Sequence, residues 1–437
     1  MARNSQEGPM FPNSIRNYSI FVTLVASLMI GCGHQTLQGE VSPTNVILMI
    51  GDGMGQSVIS TTRIWKAGSD GSLFLDQLPQ VGLVKTYSLD YTVTDSAAAA
   101  SAMATGLKTN NGMISVTPET LAREDQKKQL ETWVDIAKRQ GKSIGVITTT
   151  DIHHATPAAF YAHQESRKDM RKIALQIETS LLDLVMGGGL EILLPQKGDL
   201  PSDKADLLKD LASKDWRILR NKADLKRRWD LKHPIIGAFS LSHIPYYNEQ
   251  SAKEKSSIPT LMDMTSYAIQ HLSQNPKGFV LIVEGGRIDQ AAHDTKTENM
   301  LVEMDHFDQS VEVAYKATSP HNTLLMVTAD HETGGFTFSG YLKRTEVKKH
   351  IMGKVLDEPE FKRTYLSWAT GPAGVSEQKN IKTNKKEHPH QAAYYRKKAA
   401  HTAVDVPIYS SGIGSSEFSG TLENTDIFFK IKKLLQQ

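Results

Sequence analysis

Four short apolar runs recur along the chain, and each breaks directly into polar, chemically capable residues. Val46–Ile50 runs into Gly51-Asp52-Gly53-Met54-Gly55, and Ile144–Thr148 runs towards Asp151-Ile152-His153-His154. Phe279–Val283 runs into Glu284-Gly285-Gly286-Arg287-Ile288-Asp289, and Leu324–Thr328 into Ala329-Asp330-His331-Glu332. Continuous rather than alternating apolar runs mark strands covered on both faces. Helical patterns lie between them. Leu130, Trp133, Val134 and Ala137 line one helical face ahead of Gly141, and Leu301, Met304, Phe307, Val311 and Ala314 line another. The pattern predicts an α/β fold with a largely parallel central sheet sandwiched by helices. Ligands of such sheets gather at the carboxyl ends of the strands. One polar cluster there could be a turn; four, rich in Asp, Glu and His, predict a single shared site.

The stretch Thr94-Asp95-Ser96 followed by Ala97-Ala98-Ala99-Ala100-Ser101-Ala102-Met103-Ala104-Thr105-Gly106 predicts a short helix. Alanines favour helix, Thr94 or Asp95 can cap its start, and Gly106 can end it. Ser96 then lies where unpaired backbone N–H groups and the helix dipole welcome an oxyanion. Taken alone, this stretch is better explained as an ordinary capped helix against a sheet.

Length and charge narrow the picture. The chain has 437 residues, 39% of them hydrophobic, and a formal net charge of +2, which gives no sign of nucleic-acid binding. Arg3 and Arg16 precede an apolar run, Ile20–Ile30, too short to cross a bilayer comfortably but suited to a signal-peptide core. The run ends at the only cysteine, Cys32, within Met29-Ile30-Gly31-Cys32, which resembles a bacterial lipoprotein processing box. The expectation is a signal peptide over 1–31, a linker over 32–43 and a catalytic domain over 44–437. The protein would then be exported to the periplasm or cell surface and tied to a membrane by a lipid on Cys32; an uncleaved anchor or a plain signal peptide is the alternative. Residues 197–233 are highly charged and predict surface helices or an insertion. A basic insertion spans about 341–400, and Ile427–Leu435 predicts an amphipathic closing helix.

Asp289 and His293, four apart on a helix, project from one face and can grip one ion. Asp330-His331 offers another carboxylate and imidazole at a strand end. Imidazole with carboxylate suits zinc, whereas oxygen-only sets suit magnesium. Each pair alone is commonplace, and so is the lone His401; their co-occurrence is the signal.

The ordered set Gly51-Asp52-Gly53-Met54-Gly55, Thr94-Asp95-Ser96-Ala97-Ala98, His154-Ala155-Thr156-Pro157, Ser166-Arg167-Lys168, Val283–Asp289, Val327–Glu332 and Ala400-His401-Thr402 resembles the motifs of the alkaline phosphatase family, from about Asn45 to the C-terminus. The resemblance implies hydrolysis of phosphate monoesters through a phosphoserine on Ser96. It implies that Asp289, His293 and His401 hold one zinc ion, and Asp52, Asp330 and His331 a second. Asp52, Thr156 and Glu284 would hold magnesium, with His154 beside them, weakening the preference for magnesium or binding through water. Arg167 would clamp two phosphate oxygens with its planar fork, which lysine cannot do. Homodimers are common in that family. A phosphodiesterase or sulfatase on the same fold is the nearest alternative, and a phosphate-binding protein without turnover is another.

His154 stands where some family members carry aspartate and others histidine, and Gln290 where members often carry lysine or histidine. A neutral amide holds a phosphate-bridging water less strongly than a cation does. Gln290→Lys is therefore expected to lower the inhibition constant of inorganic phosphate; an unchanged constant counts against this role for Gln290.

Overall fold

The structure, a computed structural model, describes residues 42–118, 129–195, 206–340, 365–375 and 391–436. The expected leader, Cys32, the linker up to Val41 and much of the basic insertion lie outside the described residues.

A ten-stranded sheet organises the chain. Its strands are β1 (Asn45–Ile50), β2 (Gln80–Lys85), β3 (Ser143–Asp151), β4 (Leu184–Gly188), β5 (Arg217–Leu219), β6 (Ile235–Ala238), β7 (Phe279–Glu284), β8 (Thr323–Thr328), β9 (Val406–Gly412) and β10 (Gly420–Glu423). They lie in the order β10-β2-β9-β8-β1-β7-β3-β4-β6-β5. Only β9 runs antiparallel to its neighbours, β2 and β8. Every other pairing is parallel.

The four apolar runs are β1, β3, β7 and β8, adjacent at the centre of the sheet and buried almost along their whole length. Burial on both faces is what an uninterrupted apolar run requires. By contrast β2 alternates, with Val81 and Leu83 exposed and Val84 buried. The in-register pairing of Ile50 with Glu284 and Thr328, and of Thr148 with Glu284, brings the carboxyl ends of the four central strands to one level. The following residues therefore emerge side by side.

Two groups of helices cover the sheet. Gln56–Ala67, Leu261–Leu272, Arg287–His293 and Thr297–Lys316 pack on one another, and so do Ser96–Thr105, Trp133–Arg139, Ala155–Ala158 and Asp426–Leu435. Met304, Phe307, Val311 and Ala314 are buried on the long helix, as the sequence pattern predicts. The face predicted from Leu130 is shorter. Thr132 forms a reciprocal capping box with Asp135, so the helix starts at Trp133. Leu130 instead bonds through its N–H to Ser115 O at 3.0 Å, in extended chain. Caps fix such starts more firmly than apolar spacing does.

The charged segment around 197–233 does more than decorate the surface. Trp216 is buried, and Arg217–Leu219 pairs with β6 as the edge strand of the main sheet. In the basic insertion, Leu366–Gly371, Gly374–Val375 and Gln391–Tyr395 join Thr337–Phe338 in a separate four-stranded sheet, with Trp368 buried against Phe336 at 4.6 Å between ring centres.

The difference between a strand covered on both faces and one covered on a single face is measurable. Leu48, fully buried between β7 and β8, should lose about 2–5 kcal/mol on truncation to alanine. Leu83, 44% exposed on β2, should lose less than about 1 kcal/mol. Urea midpoints of Leu48→Ala and Leu83→Ala on metal-loaded protein check the contrast.

Candidate active site

The helix predicted at Ser96 spans Ser96–Thr105. Asp95 is its N-cap, accepting the Ala98 N–H at 3.0 Å, and Gly106 ends it in the left-handed region. Ser96 is the first helical residue and is 2% exposed; its Oγ stands 3.2 Å from His331 Nε2. Asp95 has a second task that the sequence did not announce. Its Oδ2 accepts from Gly112 N and from Arg167 Nη1, each at 3.0 Å, so the cap also fixes the guanidinium beside Ser96. The other fork nitrogen, Nη2, lies 3.1 Å from His154 Nε2.

Around this serine the strand ends deliver their carboxylates. Asp52 follows β1, Glu284 ends β7, Asp289 lies on the helix Arg287–His293, and Asp330 follows β8; none exceeds 5% exposure. The loop after β1 approaches that helix so closely that a Cβ on Gly53, at φ +71°, would lie 2.8 Å from Asp289 Cα. Only glycine tolerates both the contact and the dihedral. Asp330 Oδ1 accepts from Gly53 N at 3.1 Å and His331 N at 2.9 Å, while Oδ2 lies 3.2 Å from His331 Nε2. Asp52 Oδ1 lies 3.5 Å from the same nitrogen.

His401, remote in sequence, arrives by a two-stranded ladder in which it pairs with Thr333, and Thr402 with Glu332. Thr402 Oγ1 donates to Glu332, which also accepts from Gly335 N and Phe336 N at 3.3 and 3.2 Å. His401 then stacks on His331 with ring centres 3.6 Å apart.

The tautomers of His293 and His401 follow from their surroundings. His293 Nδ1 faces Ala399 O at 2.6 Å and His401 Nδ1 faces Thr94 O at 2.9 Å. Carbonyl oxygens only accept, so both Nδ1 atoms carry hydrogen, and in the neutral, ion-binding form of each ring Nε2 presents the lone pair. Those two Nε2 atoms face each other at 3.0 Å, with Asp289 Oδ2 3.2 Å from one and Oδ1 3.7 Å from the other. Such a convergence needs a cation between its members.

The titration of these groups says the same. Burial, then Asp330, Asp289 and Glu284, raise Asp52 well above the carboxylate range. Burial and Asp289 push Asp330 up to about 7. Burial likewise raises Glu284, although the Thr148 and Thr150 hydroxyls oppose it. Burial works against an ionised Asp289 too, but the His293, His401 and His331 imidazoles outweigh it and hold the group well below its usual value. Burial disfavours a charged His293, yet Asp289 lifts it to about 9. Burial keeps His331 and His154 neutral.

Metal ions fit this donor set. Asp289, His293 and His401 bring donor atoms within 4.8 Å of one another; so do Asp52, Asp289 and His331, and Asp52, His154 and Glu284. Both Asp52 oxygens, Glu284 Oε1, Asp330 Oδ2, His154 Nδ1 and Thr156 Oγ1 are buried without a hydrogen-bond partner among the described residues. Buried polar atoms left unpaired in a cluster are the mark of ion ligands. All the sequence-predicted ligands therefore meet at one place, and Asp289 reaches into the group that the sequence built from Asp52, Asp330 and His331.

Sequence reasoning passed over the support. Thr148 and Thr150 donate to Glu284 Oε2, the latter at 2.9 Å, and Thr333 donates to Asp289 Oδ1 at 2.5 Å. The Thr148-Thr149-Thr150 run at the end of an apolar strand was a readable signal for the first two. Gln290 is not free: its Oε1 accepts from Arg287 Nη1 and its Nε2 lies 2.9 Å from His243 Nε2. Nothing in the sequence around His243 marks it.

A family model described as alkaline phosphatase matches residues 43–437. Alkaline phosphatase 4 of Bacillus subtilis (strain 168) is 33% identical over 436 residues, covering 91% of this chain and 90% of its own length. The solved alkaline phosphatase of the Antarctic bacterium TAB5 is 30% identical, with a TM-score of 0.71 over 90% of this chain and 99% of that one. A histidine-to-glutamate variant of the TAB5 enzyme, 29% identical with a TM-score of 0.69 over 91% and 99% of the two chains, has magnesium bound in its M3 site. The chain belongs to the alkaline phosphatase family and is a metal-binding phosphomonoester hydrolase.

Proposed function

We propose that hydrolysis proceeds through a phosphoserine on Ser96, with two zinc ions and one magnesium ion in the three donor groups. The observation that carries the reading is the placement of Ser96 Oγ. It lies on the first turn of a helix, 3.2 Å from His331 Nε2 and beside the cluster of unpaired carboxylate oxygens, with Asp95 holding Arg167 alongside.

Asp289, His293 and His401 would hold one zinc, and Asp52, Asp330 and His331 the other. The group around Asp52 and Glu284, with Thr156 and His154, is richest in oxygen and suits magnesium. In the TAB5 enzyme magnesium is bound in the M3 site of a variant with a histidine replaced by glutamate. Bound cations supply Lewis-acid stabilisation of attacking and leaving oxygens and activate hydroxyl groups at neutral pH.

The chain's own residues do the rest. The Ser96 Oγ–phosphorus bond forms as the ester P–O bond breaks, and the alcohol takes up a proton as it leaves. Water then attacks phosphorus, the Ser96 Oγ–phosphorus bond breaks, and inorganic phosphate departs as the serine hydroxyl regains its proton. The two fork nitrogens of Arg167 match two non-bridging oxygens of the phosphoryl group. The N–H groups of the first turn of Ser96–Thr105 favour the developing negative charge. A monoester has three non-bridging oxygens and a diester two, so Arg167 together with an ion held by the Glu284 group would address one oxygen more than a diester offers, which favours monoesters.

p-Nitrophenyl phosphate and the corresponding diester, assayed with zinc and magnesium, test the proposal. Strong monoester preference, lost in Ser96→Ala, is expected. Diester preference transfers the chain to the phosphodiesterase reading, and phosphate binding without turnover of either ester to the binding-protein reading.

We also propose export with a lipid on Cys32, supported by the charged, apolar and processing-box order of the first 32 residues. Mass spectrometry should find the mature chain starting at a diacylated Cys32; an unmodified residue elsewhere at the start overturns it.

A further inference from the structure

A tight turn that the sequence did not connect with the site follows the helix Ser96–Thr105. Met113 N bonds to Asn110 O at 3.1 Å and closes it. Gly112 stands at the corner with φ +88° and open space around it, so the dihedral and not crowding calls for glycine. Asp90 anchors the turn from outside, its Oδ1 accepting from Asn111 N at 2.9 Å and from Ser88 Oγ at 3.0 Å. The half-buried Asn111 side chain meets the stretch that leads into the serine.

The Asn111 amide can be oriented from its two partners. Val93 O only accepts, so Nδ2 faces it, at 3.0 Å; the Asp95 N–H only donates, so Oδ1 faces that, at 2.9 Å. Donating to one residue and accepting from the residue two further on is what a parallel neighbouring strand does. Asn111 does it with one side chain. Asp95, pinned in this way, points its carboxylate at three donors. Oδ1 takes Ala98 N, while Oδ2 takes Gly112 N and Arg167 Nη1, all at 3.0 Å. Arg167 N in turn donates to Gly112 O at 2.7 Å. The ring is closed. Asn111 holds the main chain of Asp95, Asp95 holds the guanidinium, and Gly112 holds both the Asp95 carboxylate and the main chain of Arg167.

We infer that Asn111 is a positioning residue that sets the Arg167 fork against Ser96. The inference rests on the phosphomonoesterase reading above. Ser96 and the carboxylate that aims Arg167 leave the main chain at successive residues, so pinning Asp95 N relates the two directions. Without the amide, Val93 O and Asp95 N lose their partners, the Asp95 main chain turns, and the fork turns with it. Thr94 O has its own bond to His401 Nδ1, so the placement of that imidazole has a separate support.

A double-mutant cycle in kcat/KM for p-nitrophenyl phosphate reads this directly. Metal-loaded wild type, Asn111→Ala, Arg167→Ala and the double variant are compared, with bound metal measured in each. Asn111→Ala should lower kcat/KM about tenfold or more in the wild-type background, and less than about threefold when residue 167 is alanine, with metal content unchanged. Asn111→Asp has the same size and keeps one acceptor but turns an oxygen towards Val93 O, so it should lose nearly as much as Asn111→Ala. No loss, equal losses in both backgrounds, an Asn111→Asp variant as active as wild type, or metal lost in step with activity would overturn the inference. The third outcome would show that the side chain only fills space, and the last that it supports the donor groups instead of the fork. If wild type turns over no monoester, the phosphomonoesterase reading falls; if it does and the cycle is additive, only the role of Asn111 falls.

Discussion

The structure is built around a repulsion. Asp52, Glu284, Asp289 and Asp330 are brought together, almost wholly buried, where four parallel strands end. Two like charges roughly 4 Å apart near a protein surface repel by about 4 kcal/mol, and burial removes the water that would screen them. The fold meets this with every donor it can aim inwards. Backbone N–H groups of Gly53 and His331 serve Asp330, hydroxyls of Thr148 and Thr150 serve Glu284, and Thr333 serves Asp289. Three imidazoles then hold Asp289 ionised while Asp52 and Asp330 are pushed towards protonation. A site in that condition is short of positive charge, which is the physical reason for it to be a metal centre.

The parallel sheet makes such a concentration attainable. Equal register among β1, β3, β7 and β8 sets their ends at one level, and the next residues of each strand need only a short loop to converge. This is why the strand-by-strand pattern was legible in the sequence. An apolar run followed by Asp, Glu or His both builds the scaffold and delivers the ligand, so one stretch of chain carries both signals. Asp289 and His293 were legible for a similar reason, since one turn of helix fixes their mutual position.

What was not legible depended on contacts between segments far apart in sequence. The edge strand Arg217–Leu219 lies in a segment whose charge suggested a surface insertion, because an edge strand needs little apolar sequence of its own. The helix start at Trp133 is set by the hydroxyl–carboxylate exchange between Thr132 and Asp135, which outweighs the apolar spacing that included Leu130. His401 could be named by resemblance, but its route to the site is a two-residue ladder against Glu332 and Thr333. His243 had no local pattern at all. Its place follows from Gly188 and from hydrogen bonds to β3 and to the start of the helix after β4.

Asp95 and His154 show how the separate parts become one device. Asp95 uses one oxygen to cap the Ser96 helix and the other to hold Arg167, so the direction of the helix and the direction of the guanidinium cannot vary independently. His154 takes the other fork nitrogen while belonging to the donor group of Asp52 and Glu284. A neutral imidazole has one lone pair, and at Nε2 it cannot serve both a cation and an N–H at once. Its buried Nδ1 is unpartnered, so proton position and ring orientation decide which of the two it serves. A carboxylate at this place would offer two oxygens and could satisfy both. Histidine instead would make the hold on an ion in that donor group and the hold on Arg167 compete for one side chain. Charge in that donor group and the orientation of the Arg167 guanidinium are therefore linked through a single imidazole.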